Sequence, residues 1–121
     1  MNHVYFIEVL SQVVRDISKS DDVVIIGRGS NMILSGYENA IHIGMVGSLP
    51  LRVSTMVKRE HLDEKEALEY VDNLEKARVS FYRKFFKVHP DDPVLYDVML
   101  NMDEMSHQTA TEIISYTSER V

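Results

Sequence analysis

The chain has 121 residues, 45% apolar and 26% charged, with a net charge of −6 and no cysteine. This length and balance fit one soluble compact domain, and the negative charge argues against non-specific binding to DNA, RNA or an anionic membrane. The lack of cysteine excludes disulfides, thiolate-held zinc, iron–sulfur clusters and thiol catalysis, and fits a reducing cytoplasm.

In chain order, Ile7, Leu10, Val14 and Ile17 recur at helical spacing and predict a helix over residues 3–19 with one buried face. Lys19, Ser20, Asp21 and Asp22 form a polar break. Val23–Ile26 is a continuous apolar run of the kind that fills strands buried on both faces, so it predicts a first strand. Ser30–Leu34 predicts a short helical turn, closed by Ser35 and Gly36. "AIHIGMV", residues 40–46, predicts a second strand. Ser48 as N-cap and Pro50 in the first turn open a helix that runs to about Glu60.

His61–Asp63 is a joint. Asp63 and Glu66 form a capping-box pattern that opens a long helix, Glu64–Phe86, with Ala67, Val71, Leu74, Phe81 and Phe85 as its buried stripe. Acids (Glu64, Glu66, Glu69, Asp72, Glu75) occupy its first half and bases (Lys76, Arg78, Arg83, Lys84, Lys87) its second. "HPDDP", 89–93, predicts a turn and "LYDVMLN", 95–101, a third strand. A last helix runs from Ser106 to about Ser118, with Ile113, Ile114 and Tyr116 facing inward. Strands alternating with helices give an α/β class: a parallel three-stranded sheet flanked by helices in a single domain, 1–121. No apolar run approaches the roughly 18 residues of a membrane span, and no signal peptide is visible.

Gly27-Arg28-Gly29 falls at the carboxyl end of the first predicted strand, where parallel α/β sheets bind ligands. Two glycines permit close approach, and Arg28 offers a fork of donors to a phosphate or carboxylate. The plain alternative is a tight turn whose arginine pairs with a surface acid. Arg52 sits in the first turn of its helix, where the macrodipole disfavours a cation; a bound anion would reverse that, and simple tolerance is the alternative. Arg78, Arg83 and Lys87 could reach phosphates, or could be a solvated face that complements the helix dipole. His3, His42, His61, His89 and His107 lack metal-ligand spacing and read as structural or surface residues, so no metal site and no catalytic residue is assigned. Asp91 and Asp92 read as turn formers. No G-x-x-x-x-G-K-[ST] loop occurs: glycines stand at 27, 29, 36, 44 and 47, and none precedes a lysine.

Together "VVIIGRGSNMIL" (23–34), "AIHIGMVGSLPLRV" (40–53), "EALEYVDNLEKARVSFYRKFF" (66–86) and "DDPVLYDVMLNMDEMS" (91–106) resemble the cytidylate-kinase-like family of P-loop nucleotide kinases, in the family's order. The resemblance covers residues 4–118 and matches the C-terminal part of the family's domain. It implies that Arg28, between Gly27 and Gly29, lies at a nucleoside-monophosphate site. It implies that Arg52 introduces the helix leading into a lid, that Glu64–Phe86 is lid-like, and that Arg78 and Arg83 contact phosphates. Tyr96, Asp97 and Asn101 would belong to the strand that closes the sheet. The chain departs from the family in having Gly29 where an aspartate usually follows the arginine, Glu75 in the lid's D-x-x-R pattern, and Met102 after the asparagine.

The family's P-loop strand, with its lysine and Mg²⁺-binding hydroxyl, is missing. ATP and Mg²⁺ therefore enter only if another segment or partner supplies that loop, and the isolated chain is expected to be inactive. The same strand would lie between the strands at 23–27 and 41–46, so the two must pair directly or another chain must fill the gap. A homo-oligomer, a dimer in the simplest case, is the expectation. Three functions stay open. One is a kinase-like protein that keeps its monophosphate site, another a non-catalytic binding or regulatory module, the third an unrelated small α/β domain.

Overall fold

The computed structural model describes residues 3–20 and 22–119. Asp21 of the predicted polar break and the side chain of His3 lie outside the described residues. The chain divides into two compact units on either side of the Ala40–Ile41 bond.

In the first unit, helix α1 (His3–Ser18) packs on the single turn α2 (Ser30–Ile33). Val14, Ile33 and Leu34 are buried there, whereas Ile17, expected inside, is exposed. Residues 23–26 correct a second expectation. They form no strand, and Val24 and Ile26 are 86% and 87% exposed. The physical reason is cooperative: a strand exists through its ladder, and no other strand stands among the described residues of this unit.

In the second unit, β1 (Ile43–Val46) pairs in parallel with β2 (Val98–Asn101), Ile43 opposite Val98 and Val46 opposite Asn101. The sheet is therefore two-stranded among the described residues, not three-stranded, and the chain keeps its α/β character. The ladder is extended at its start by Asp97, whose carboxylate accepts the His42 N–H at 2.8 Å while its own N–H donates to the His42 carbonyl at 2.7 Å. Gly44 is required by close packing, since a β-carbon there would fall on the Met99 sulfur and within 3.1 Å of the Tyr96 ring. Leu100, 3% exposed, anchors β2.

Helix α3 (Leu49–Glu60) opens on the Ser48 hydroxyl, and α4 (Glu64–Phe86) opens on the full Asp63–Glu66 capping box, as their sequences require. The two helices pack through Val53, Ala67 and Val71, with Met56, Val57 and Leu62 around them. Along α4 the stripe departs from expectation: Tyr82 is buried and Leu74 is 53% exposed. A 3-10 turn (Pro93–Leu95) capped by Asp92 leads to β2. Helix α5 (His107–Ser118) buries Ala110 and half-buries Ile113 and Ile114, while Tyr116, expected inside, is 60% exposed.

Candidate functional site

Arg28 belongs to the first unit. Gly27, Arg28 and Gly29 all stand in the left-handed region, at φ 70°, 62° and 67°. The turn is closed by Ser30 N–H donating to the Gly27 carbonyl at 3.2 Å. A β-carbon on Gly27 would meet nothing within 4 Å, so backbone angle alone, not crowding, selects glycine there. Arg28 holds the same angle with a side chain attached, which costs about 1–2 kcal/mol. It is exposed, and among the described residues its guanidinium makes no hydrogen bond or ion pair. The surface acid of the plain alternative is thus not engaged.

The other three candidates lie in the second unit. Arg52 folds back from the first turn of α3. Its Nε donates to the Gly47 carbonyl at 3.0 Å, and a terminal nitrogen stands 3.7 Å from a Glu75 oxygen. The Ser48 N–H, one residue before α3, already donates to an Asp103 carboxylate oxygen at 3.1 Å. The odd placement of Arg52 is therefore satisfied by protein groups.

Arg78 is half-buried and tightly held. It donates to Asp91 at 2.8 Å and to the Pro90 carbonyl at 3.5 Å, stands 3.8 Å from Glu75, and lies over the Tyr82 ring at 5.9 Å. Burial pulls its pKa down, but the Asp91 hydrogen bond and the nearby negative charges hold it above the ordinary value. The Tyr96 hydroxyl donates to the same Pro90 carbonyl at 2.5 Å. Burial, then Tyr96, pushes the Tyr82 phenol up to about 12, against the pull of Arg78.

Glu75 thus bridges two of the predicted arginines, and Asp91 clasps one of them. Sequence reasoning missed both roles. Glu75 was legible only as a departure from the D-x-x-R pattern, and Asp91 only as a turn former beside Pro90 and Pro93. Asp92 does act as the turn former, since its carboxylate accepts the Val94 N–H at 3.1 Å.

Arg83 is exposed and makes no ion pair among the described residues. It lines an open depression with Lys87, Val88 and His89, where His89 Nδ1 accepts the Asp91 N–H at 3.1 Å. The structure so groups Arg52 with Arg78 through Glu75, leaves Arg83 apart from them, and sets Arg28 in the other unit. Among the described residues no group of three His, Asp or Glu side chains converges in a way that could hold a metal ion.

The model of the family described as "Cytidylate kinase-like family" matches residues 2–104. Among curated proteins, a cytidylate kinase of Methanopyrus kandleri is 25% identical over 108 residues, covering 83% of this chain and 56% of the relative. A cytidylate kinase of Thermoplasma acidophilum is 28% identical over 104 residues, covering 84% of this chain and 53% of the relative. The chain therefore spans about half the length of the curated relatives it matches. A solved structure of an uncharacterized protein from Eubacterium ventriosum superposes with a TM-score of 0.80 at 24% identity, over 92% of this chain and 63% of that one. That likeness is one of fold.

Proposed function

Because the chain belongs to the cytidylate kinase-like family, we propose that it carries the acceptor half of a nucleoside monophosphate kinase, with Arg28 facing the monophosphate. The observation that carries this reading is the Gly27-Arg28-Gly29 turn. A long, exposed side chain is kept at a left-handed position where glycine would be less strained, and its donors are not used by any described residue. A guanidinium presented in this way suits a phosphate's oxygens.

The donor half does not fit the residues present. ATP phosphates need a backbone cradle with a lysine, and Mg²⁺ needs a hydroxyl or carboxylate beside it; the sequence has no such loop. On this reading a further segment or a partner supplies the loop and its strand. The chain alone transfers no phosphoryl group. A cytoplasmic location accords with this reading, and no helix of the described residues is long and apolar enough to cross a membrane.

A second reading, a non-catalytic homo-oligomeric binding or regulatory module, is favoured by Arg52 and Arg78. Both guanidinium groups are engaged by Gly47, Glu75, Pro90 and Asp91.

Calorimetric titration with CMP, then with Mg·ATP, separates the two. The acceptor-half reading expects saturable CMP binding that Arg28→Ala weakens by the roughly 1.5–3 kcal/mol of a charged hydrogen bond, with thermal unfolding unimpaired. Absence of CMP binding, or an affinity that ignores Arg28→Ala, removes Arg28 from the site and leaves the module reading.

A further inference from the structure

Helix α4 shows an apolar seam on its open side. Tyr70, Leu74, Ala77 and Phe81 follow one another at four-three-four spacing, the repeat of a helix that packs along a second helix. Tyr70, Leu74 and Ala77 are exposed and Phe81 is half-buried, although the neighbouring stripe of Ala67 and Val71 is fully covered by α3. Leu74 reads from the sequence as a core residue and stands 53% exposed. A helix of this length runs roughly 35 Å, so the seam is long enough to matter.

We propose that this seam is the interface with a second copy of the chain, packed antiparallel. The charge order along α4 points to that occupant. Of the charged side chains of α4, Glu66 and Lys84 flank the seam, an acid near its start and a base near its end, so the seam's border is complementary to its own reverse, whereas Asp72, Glu75 and Lys76 turn away from it and are paired within the chain. A parallel copy would set acids against acids. An antiparallel copy sets acids against bases and opposes the two helix dipoles.

The register follows from the seam itself. A twofold axis between Glu75 and Lys76 puts Tyr70 opposite Phe81 of the second copy and Leu74 opposite its Ala77, large against large and branched against small. The same axis brings Glu66 within one residue of Lys84 of the second copy. Glu66 and Lys84 are five full helical turns apart, so both lie on one line beside the seam. Each copy thus contributes the same patch, as an isologous contact demands. Four seam side chains a side fall at or below the small end of specific interfaces, about 1,200 Å² in total, so the dimer forms in a concentration-dependent way.

Sedimentation equilibrium of the full chain over a wide concentration range, at low and raised salt, tests this. A monomer–dimer equilibrium weakened by salt is expected. Leu74→Glu raises the dissociation constant at least about thirtyfold, the scale of a central interface residue, with the far-ultraviolet circular dichroism unchanged. Lys84→Glu faces Glu66 of the second copy and weakens dimerisation about three- to tenfold. Adding Glu66→Lys to Lys84→Glu restores it relative to Glu66→Lys alone, a comparison in which the lost capping box cancels. A chain that stays monomeric at every concentration overturns the proposal. So does a dimer indifferent to Leu74→Glu and to the charge exchange, which would place the second copy elsewhere.

Discussion

In residues 41–119 each helical element opens on a side chain that accepts a backbone N–H: Ser48 for α3, Asp63 for α4, Asp92 for the 3-10 turn and Ser106 for α5. In residues 3–40, α2 opens on left-handed Gly29 with no side-chain cap, and the apolar run before it lies open to solvent. In the first region the helix starts are closed by its own residues. The second packs α1 on α2 but leaves the run at 23–26 uncovered. Local signals such as caps act within a few residues, whereas a strand needs a neighbour, which sequence distance does not restrict to its own vicinity. A comparison of equal substitutions in the two regions can therefore break or sharpen the contrast.

The largest effect is expected at Leu100. Leu100→Ala removes a side chain 3% exposed from the paired strand and should cost about 2–5 kcal/mol, read by denaturant unfolding. A cost below 1 kcal/mol would mean that the two-stranded sheet is as loosely built as residues 23–26.

Arg78→Ala comes next. It leaves Asp91 without its guanidinium donor, while the Pro90 carbonyl keeps the Tyr96 hydroxyl. With the side chain 37% exposed, solvent screens part of the loss, and about 1–2 kcal/mol is expected. The same cluster gives a pH test. The Tyr82 phenol is raised to about 12 in the folded protein, above its ordinary value of 10.0. The folded state therefore holds that proton more tightly than the unfolded one. Its contribution is fully present below pH 10 and is lost as pH rises from there through about 12. Thermal unfolding followed across that window should fall steeply in the parent chain and less steeply in Tyr82→Phe. Equal slopes would detach Tyr82 from the clasp.

These clusters also mark where the sequence was legible. The Asp63–Glu66 box and the limits Glu64 and Phe86 were read correctly, because capping residues and a long periodic stripe are local signals. The second and third predicted strands exist but are shorter than their apolar runs. Asp91 was read as a turn former because its partner, Arg78, lies thirteen residues away on another element. Leu74 and Tyr116 were placed inside by apolarity alone, which does not say whether a second surface is present to cover them. Of the candidate site, Arg28 and its two glycines were legible as a turn. The fate of Arg52 and Arg78 was not, since it is decided by Glu75 and Asp91 through tertiary contacts.

A smaller effect belongs to the caps. Ser48→Ala removes the acceptor of the Leu51 N–H and should lower stability by about 1 kcal/mol. Ser106→Ala, which frees the Thr109 N–H, should match it. If either is silent, the closure of the second unit rests on the α3–α4 core and not on its helix ends.

The smallest effect is expected at Ile26, and it says the most about the open region. In this chain Ile26 is 87% exposed, so Ile26→Ala should change stability by no more than about 0.5 kcal/mol. The same substitution at the same apolar run costs several times more wherever a neighbouring strand covers it. Measuring Ile26→Ala first in this chain and then after supplying the proposed P-loop strand, in cis or in trans, reports on that neighbour directly. A cost that rises from near zero to about 2–4 kcal/mol would show residues 23–26 entering a sheet, with Gly27-Arg28-Gly29 at its carboxyl edge. A cost already large in this chain would mean that the run is covered in solution by something its own residues provide, and the contrast between the two regions would fail at that point.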